Sequence, residues 1–231
     1  MSNVKYEFVV MVCYYGEGGC RPHRECIEEL KRAGIPFMPV YDCPYLDIAR
    51  SYACTAALEQ CPEARGLIFI DHDMHGFTPN DVIGFAQRAI EAKKDVVGIG
   101  YSLRRPGFML ACQPLEKKEI TFNVPGYELA KYVGTGFTFL SRETLEGINV
   151  GEHFVHCVDR VVRMFFAPWI DETGYHPDDI GFCYRVRDTG RKIWIDTQMR
   201  IFHRGSYDYA IEDSGLSVPN MTGPLTVRFE K

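Results

Sequence analysis

A short apolar run, Gly66–Ile70, ends abruptly in the three residues Asp71-His72-Asp73. The run carries no charge and is rich in β-branched and aromatic residues, which predicts a buried strand. Two carboxylates directly after a buried strand are costly unless their charge is compensated. A hard divalent cation is a natural compensation, and open α/β sheets bind ligands at the carboxyl ends of their strands. The plainer interpretation is that the two aspartates only start a turn before Gly76 and Pro79.

Strand and helix patterns alternate over about the first 100 residues. Such alternation predicts an α/β fold, in which a mainly parallel sheet is covered by helices on both faces. The predicted strands are Lys5–Tyr14, Ile35–Tyr41, Gly66–Ile70 and Asp95–Gly100, and the predicted helices are Pro22–Ala33, Leu46–Gln60 and Pro79–Lys93.

The predicted elements become shorter after about residue 100, and part of this region is expected to be antiparallel. Residues 211–231 have no clear pattern and are expected to form a tail or lid. The predicted strands are Phe108–Cys112, Glu119–Asn123, Phe137–Leu140, Lys192–Asp196 and Arg200–His203, and the predicted helices are Arg142–Ile148 and a segment from Pro177 to near Gly190.

Charge and cysteine content narrow the class of protein. The net charge of −5, from 26 basic and 31 acidic residues, disfavours a broad nucleic-acid-binding surface. No apolar run has the length of a membrane span, and the N-terminus lacks the pattern of a signal peptide. The 9 cysteines are odd in number and form no C-x-x-C pair, which is typical of reduced thiols. We therefore expect a soluble, cytoplasmic protein, or one in a host's cytoplasm if the chain is encoded by a phage.

Four segments, in this order, resemble segments of glycosyltransferases of the GT-A type. The first carries an Ala-Arg pair on a helix, and the second is the strand that leads into the D-x-D motif. The third is a glycine-rich strand on the acceptor side, and the fourth is an acid pair at a helix start, followed by a strand and a late histidine. The segments are Asp47–Ser51, Gly66–Met74, Gly134–Leu140 and Tyr175–Arg185, the last continuing through Ile193–Asp196 to His203-Arg204-Gly205.

The resemblance implies a GT-A (Rossmann-like) fold, with a mixed, mainly parallel central sheet flanked by helices and a smaller antiparallel sheet on the acceptor side. It implies a single domain over residues 1–231, with a nucleotide-sugar-binding half at about 1–100 and an acceptor and catalytic half at about 101–210. The implied activity is metal-dependent transfer of a sugar from a nucleotide-sugar, with a UDP-sugar as the leading donor, to an acceptor hydroxyl.

The same resemblance implies a metal site. Asp73 would be the main carboxylate ligand and His203 the second protein ligand, while Asp71 would support the metal or face the ribose. Carboxylate ligands suit Mg²⁺ or Mn²⁺, and an imidazole favours Mn²⁺. The alternative for His203 is a partly buried histidine near the end of a strand.

Donor-binding roles are implied for Tyr14, Arg50 and His72. The guanidinium of Arg50 has a planar set of donors that suits phosphate or ribose oxygens, although it is equally consistent with an arginine on a helix surface. Tyr14 is the last residue of the first predicted strand and would border the base of the nucleotide, unless it is simply a rim or core residue.

Transfer to a hydroxyl requires a base near the reacting carbon. Asp179 is the leading candidate and Asp178 the second. Related sequences usually carry Glu-Asp where this chain carries Asp-Asp, so the choice between the two stays open. Both residues also suit the start of a helix, where negative charge is favourable. An inverting reaction would use such a base directly, and a retaining reaction stays open.

The predicted acceptor-binding residues are Gly134, Thr135 and Gly136, where glycines let the backbone approach a ligand, together with Trp169 and Tyr175. The alternative for the glycines is a strand bulge without a ligand. The segment 165–175 is predicted to be a mobile acceptor loop.

The sequence leaves the acceptor open. A glycan, a lipid-linked saccharide, a protein and a modified base in DNA all remain. The acidic balance favours a saccharide over DNA, whereas the basic residues near the acid pair favour DNA (Arg185, Arg187, Arg191 and Lys192). Two other functions are considered: a metal-dependent phosphoryl-transfer or hydrolytic enzyme that uses Asp71, Asp73 and His203, and a non-catalytic nucleotide-binding module.

Overall fold

The apolar runs form the centre of an eight-stranded mixed sheet in the computed structural model, which describes residues 6–16, 18–104, 110–116, 119–205, 208–211 and 224–229. The strand order in this sheet is β2-β1-β3-β9-β5-β14-β8-β6. The strands are β1 (Phe8–Tyr14), β2 (Phe37–Tyr41), β3 (Gly66–Ile70), β4 (Met74–His75), β5 (Val96–Ile99), β6 (Cys112–Pro114), β7 (Glu119–Phe122), β8 (Tyr127–Val133), β9 (Phe137–Ser141), β10 (Glu152–Val155), β11 (Arg160–Arg163), β12 (Trp169–Asp171), β13 (Gly174–His176), β14 (Ile193–Asp196), β15 (Phe202–Arg204), β16 (Asp208–Tyr209) and β17 (Leu225–Arg228).

Strand direction agrees with the predicted class. Strands β9 and β8 run antiparallel to both of their neighbours, and every other pair in the sheet is parallel, so six of the eight strands share one direction. Small antiparallel sheets lie beside it, formed by β10-β11, β12-β13, β16-β15-β4 and β17-β7. The predicted α/β class with a mixed, mainly parallel sheet and smaller antiparallel sheets is therefore confirmed.

Helices cover the sheet from both faces, as the alternating pattern requires. Side chains of α1 and α3 share one hydrophobic cluster, and those of α2 and α5 share the other. Within β3, Ile68 belongs to the first cluster and Phe69 to the second, because neighbouring strand residues point to opposite faces. The helices are α1 (Arg21–Arg32), α2 (Leu46–Gln60), α3 (Pro79–Glu91), α4 (Arg142–Gly147) and α5 (Asp178–Asp188).

The helix starts follow the local sequence. Thr78 and Asp81 form a capping box at the start of α3, in which each side chain accepts a hydrogen bond from the other residue's backbone. Helix α5 starts with two aspartates and has Arg185 and Arg187 in its last turn, an order of charges that complements the helix dipole. Among the residues that the structure describes, no helix is both long enough and apolar enough to span a bilayer.

Three parts of the sequence-based interpretation need correction or a limit. The segment 165–175, predicted to be a mobile loop, instead has a fully buried Phe165 and contains β12 and the start of β13. Strand β8 was not predicted, because Glu128 and Lys131 interrupt its apolar pattern. Of the predicted strand Phe108–Cys112, residues 108 and 109 lie outside the described part of the chain, and β6 starts at its last residue.

The predicted tail also contains a strand. β17 pairs with β7 over four residues, from Leu225 opposite Phe122 to Arg228 opposite Glu119. Residues 212–223 of the predicted tail or lid lie outside the described part of the chain. The division of the chain into two functional halves remains a prediction.

The core around β9 allows a test of the fold. Phe137 is fully buried and meets Phe77 and Phe85 edge-on, with ring centroids 5.4 and 5.5 Å apart. Phe137→Ala should lower the free energy of unfolding by about 3–5 kcal/mol, because it removes apolar contacts and leaves a cavity. Urea denaturation measures this change. In the control Phe154→Ala, a ring that is 54% exposed is removed, and the change should stay within about 0.5 kcal/mol.

Candidate functional site

The candidate site lies at one edge of the sheet. Strands β1, β3 and β5 run in the same direction, so their carboxyl ends meet there, at the edge where β9 begins. Asp71 directly follows β3, and its backbone N–H donates to the carbonyl of Gly136 at 2.8 Å, just before β9. A turn follows, in which the N–H of Met74 donates to the carbonyl of Asp71 at 2.9 Å. This geometry holds the acidic residues at the edge where α/β sheets bind ligands.

Asp73 and His203 meet because two very short strands pair. Strand β4 pairs with β15, with Met74 opposite His203, and the N–H of Arg204 donates to the carbonyl of Asp73 at 2.8 Å. The two side chains, 130 positions apart in the sequence, place Nε2 of His203 3.3 Å from Oδ2 of Asp73. Both side chains are about nine-tenths buried. The structure thus brings together the two predicted metal ligands.

The hydrogen bonds of His203 show which ring nitrogen faces Asp73. Nδ1 lies 2.9 Å from the carbonyl oxygen of Ser102, which only accepts hydrogen bonds, so Nδ1 carries the proton. In the neutral ring Nε2 is then an acceptor, and it faces a carboxylate oxygen that is also an acceptor. A second ring proton or a bound cation between the two atoms resolves this conflict. Metal-bound histidines characteristically donate their other N–H to a carbonyl in this way.

The carboxylate of Asp73 has an unused oxygen as well. Its Oδ1 is buried without a hydrogen-bond partner, while Oδ2 also receives Nη2 of Arg104 at 2.8 Å. Burial raises the pKa of Asp73, but His203 and Arg104 outweigh it and hold that pKa below its usual value. A buried carboxylate oxygen without a partner fits a cation ligand. No set of three or more His, Cys, Asp or Glu side chains gathers around a metal position in the described chain, so substrate or water oxygens would complete the coordination.

Arg50 joins two of the predicted motifs from beneath the site. Its side chain, on α2, is only 4% exposed, and its Nη2 donates to both carboxylate oxygens of Asp71 at 2.9 and 2.8 Å. Its Nη1 lies 2.5 Å from Oδ2 of Asp178. Burial lowers the pKa of Arg50, but the two carboxylates outweigh it and hold that pKa above its usual value. Arg50 is therefore a buried cation between two acids rather than an arginine on a helix surface.

The two acids at the start of α5 differ in their surroundings. Asp178 forms the ion pair with Arg50, whereas Oδ1 of Asp179 accepts the N–H of Ile180 at 2.8 Å. Burial and the neighbouring charge of Asp178 raise the pKa of Asp179. The carboxylate of Asp179 therefore has no ion-pair partner in the described part of the chain, and its pKa is closer to neutrality than usual.

The glycine-rich segment is held by a residue that the sequence interpretation missed. The hydroxyl of Tyr101 accepts the N–H of Gly136 at 3.1 Å, and its ring meets that of His203 edge-on at 5.4 Å. A side chain at Gly134 or Gly136 would collide with the Tyr101 hydroxyl, at 2.5 and 2.6 Å. Thr135 between them is buried, and its hydroxyl oxygen has no partner.

One signal in the sequence was available for Tyr101 and Ser102, but none for Arg104. Tyr101 and Ser102 directly follow a predicted strand, so the rule that placed Asp71 at the sheet edge applies to them too. Arg104 follows two residues later.

Tyr14 and His72 lie on the other side of the acidic turn. The Tyr14 hydroxyl donates to Nε2 of His23 at 3.2 Å, and Nδ1 of His23 donates to the carbonyl of Met74 at 2.8 Å. Burial lowers the pKa of His23 to about 4, which agrees with these neutral-ring roles. The carbonyl of His72 accepts the N–H of Cys20 at 3.2 Å. These bonds fix α1 to the acidic turn.

A cleft opens next to Tyr14. The ring of Tyr14 stacks on that of Tyr41, with centroids 5.3 Å apart, and both line a cavity of about 490 Å³ beside α1. The edge of this cleft carries Arg21, Arg24, Lys31 and Arg32, with Glu25 and Glu28 between them. Its aromatic wall and basic edge are consistent with the predicted role of Tyr14 beside a base.

The two predicted aromatic acceptor residues lie on the β12-β13 hairpin, which leads into the acid pair. Trp169 packs against α5, where it meets Tyr184 edge-on at 6.3 Å and lies under the guanidinium of Arg185 at 5.5 Å. Tyr175 is 66% exposed. The structure thus gives Trp169 a packing role and leaves the ring of Tyr175 accessible.

Comparison with known proteins supports the fold. No family model and no curated protein sequence matches the chain. The structure of A197 from STIV matches with a TM-score of 0.55 and 19% identity, over 85% of this chain and 86% of that one. At this identity the likeness shows a shared fold alone.

Two further structures match less well. A glycosyltransferase involved in the glycosylation of the major capsid of PBCV-1 has a TM-score of 0.32 and 18% identity, over 60% of this chain and 61% of that one. S. aureus TarS 1–349 has a TM-score of 0.40 and 12% identity, over 87% of this chain and 59% of that one. These TM-scores are too low to carry an argument about this chain.

The different surroundings of Asp178 and Asp179 predict that replacing one acid destabilises the folded protein and that replacing the other stabilises it. Asp178→Asn should lower the free energy of unfolding by about 1–3 kcal/mol, because Arg50 loses a charged partner. Asp179→Asn should raise the melting temperature at neutral pH, because the asparagine keeps the oxygen that accepts from Ile180 and removes a buried charge. Thermal melts of the two variants and the wild type measure both effects.

The pH dependence of this gain follows from the raised pKa. The folded wild type binds the Asp179 proton more tightly than the unfolded chain, so this group favours folding at low pH and loses that contribution as the pH rises through its raised pKa. The gain of Asp179→Asn should therefore be largest near neutral pH and shrink on acidification. A gain that does not depend on pH would contradict this explanation.

Proposed function

We propose that this chain is a metal-dependent glycosyltransferase, which moves a sugar from a nucleotide-sugar to an acceptor hydroxyl. The observation that carries the proposal is the meeting of Asp73 and His203, two groups that face each other as acceptors beside a buried, unpartnered carboxylate oxygen. The four segments that prompted the resemblance also meet in the structure. Arg50 donates to Asp71 in the acidic turn and to Asp178 in the acid pair. The N–H of Asp71 donates to the carbonyl of Gly136 in the glycine-rich segment.

In this proposal Asp73 and His203 hold Mn²⁺ or Mg²⁺, with the imidazole favouring Mn²⁺. A divalent cation there would neutralise the charge that develops on a departing diphosphate without any proton transfer. Both oxygens of Asp71 are occupied by Arg50, so Asp71 supports the site through that ion pair and through its turn. His72 keeps only the donor-side role that the resemblance implies.

The base is proposed to be Asp179. Oδ2 of Asp178 is already occupied by Nη1 of Arg50 at 2.5 Å, so this carboxylate is engaged in an ion pair. Asp179 has a raised pKa, and a base is most effective when its pKa lies near the working pH. Asp178 then positions Arg50, and Arg50 in turn fixes Asp71.

The donor and acceptor regions are proposed from their places around this centre. The cleft beside Tyr14 and Tyr41 suits the nucleobase, with UDP as the leading nucleotide. The acceptor side would be formed by Gly134, Thr135 and Gly136 and by the exposed ring of Tyr175, whereas Trp169 supports the hairpin. A saccharide acceptor is favoured over DNA because the chain carries a net charge of −5.

The metal proposal is tested by thermal stabilisation with Mn²⁺ and a panel of nucleotide-sugars. The correct donor with Mn²⁺ should raise the melting temperature, since a ligand at about 100 times its Kd adds about 2.7 kcal/mol to the folded state. Asp73→Asn should abolish the part of this shift that depends on Mn²⁺. The control Glu146→Gln removes a surface acid that is 54% exposed and pairs with Arg142, and it should keep the full shift.

The same panel separates the other two functions. Phosphate release from a simple ester, without any need for a sugar, would favour phosphoryl transfer or hydrolysis. Nucleotide binding without turnover would favour a non-catalytic binding module. Stabilisation by Mn²⁺ that is unchanged in Asp73→Asn would contradict the proposed metal site.

The base is tested by Asp179→Asn. The variant should bind the donor as the wild type does but lose about 10²- to 10⁴-fold in kcat, the usual contribution of a positioned base. In the wild type, kcat/KM should fall as the pH drops through the raised pKa of Asp179, because the base must be unprotonated. The control Asp188→Asn removes an exposed acid at the other end of α5. Full turnover by Asp179→Asn would exclude this base.

A further inference from the structure

The carboxylate of Asp73 uses only one of its two oxygens. Its Oδ2 lies 2.8 Å from Nη2 of Arg104 and 3.3 Å from Nε2 of His203, while its Oδ1 has no partner. The side chain of Asp73 is 10% exposed, but that of Arg104 is 56% exposed. Arg104 therefore reaches into the site from solvent.

A guanidinium and a divalent cation cannot both use this carboxylate in the same way. A cation held by Asp73 and His203 needs the carboxylate oxygens and the Nε2 lone pair, and Arg104 already occupies Oδ2. Two cations within a few ångströms repel each other strongly in a poorly hydrated site. The ion pair of Arg104 is weak enough to be replaced, because one partner is mostly in water.

The second arginine of the site shows the contrast. The side chain of Arg50 is 4% exposed, so it is shielded from solvent. Two acids, Asp71 and Asp178, hold it in place. Arg104 has one acid and an exposed side chain. Of these two arginines, Arg104 is the one that can exchange its partner at low cost.

We propose that Arg104 is exchanged for the divalent cation at Asp73 and then binds the diphosphate of the donor. The inference rests on the proposed function. Without the cation, Arg104 pairs with Asp73; with the cation bound, the released guanidinium stays next to the cation site, where its planar donors suit the phosphate oxygens of a bound diphosphate. Cation and diphosphate should then favour each other's binding, because the diphosphate draws Arg104 away from the carboxylate that the cation needs.

The exchange predicts opposite effects of one substitution. In Arg104→Gln, Mn²⁺ alone should bind more tightly than in the wild type, by about 3- to 10-fold, because its competitor is gone. Inorganic pyrophosphate in saturating Mn²⁺ should bind about 10-fold more weakly, because a charge-assisted contact is lost. Electron paramagnetic resonance of free Mn²⁺ measures the first affinity and isothermal titration calorimetry the second. Pyrophosphate makes the test independent of which base the donor carries.

A matched control separates the contact from the net charge. Arg204→Gln removes an arginine that is 42% exposed, follows His203 directly and pairs with Asp208 instead of Asp73. This variant should leave the Mn²⁺ affinity close to that of the wild type. The melting temperature of Arg104→Gln should also stay close to that of the wild type, because the side chain is exposed.

The outcomes distinguish this inference from the proposal on which it rests. Mn²⁺ that binds wild type and Arg104→Gln equally well would overturn the exchange but leave a metal-dependent enzyme intact. Weaker binding of both Mn²⁺ and pyrophosphate would also overturn it, since Arg104 would then only support the site. Mn²⁺ that binds neither protein, with or without pyrophosphate, would remove the metal-dependent function itself and the exchange with it.

Discussion

The buried guanidinium of Arg50 is the interaction on which the arrangement of the site depends. It reaches Asp71 after β3 and Asp178 at the start of α5, two acids 107 positions apart in the sequence. Neither acid would be stable so close to the other without a cation between them. Because Arg50 is buried on α2, the helix, the strand end and the start of α5 are held in one fixed relation.

This ion pair divides the acids of the site into two kinds. Asp71 and Asp178 are both paired with Arg50, which connects the end of β3 and the start of α5 to α2. Asp73 and Asp179 do not contact Arg50: Asp73 faces an imidazole across 3.3 Å, and Asp179 has a raised pKa. The proposed metal ligand and the proposed base are thus the two acids that Arg50 does not hold.

Much of this arrangement could be predicted from the sequence. The run into Asp71-His72-Asp73 identified a strand end, and Leu46–Gln60 and Gly66–Ile70 match the observed helix and strand bounds. The link between Asp73 and His203 came from a resemblance, because it depends on the pairing of β15 with β4, a strand of only two residues that leaves no periodic pattern. Arg104 was missed because a single surface arginine carries no signal until its partner is known.

The shortness of β4 and β15 has a consequence for how the protein becomes functional during synthesis. The two proposed metal ligands are separated by 130 positions, and contacts so distant in the chain form late in folding. A nascent chain that has already folded β1, β3 and their helices still lacks His203, one of the two proposed metal ligands. A chain that ends before residue 203 therefore lacks one of the two proposed metal ligands, whichever part of the sheet it has already formed.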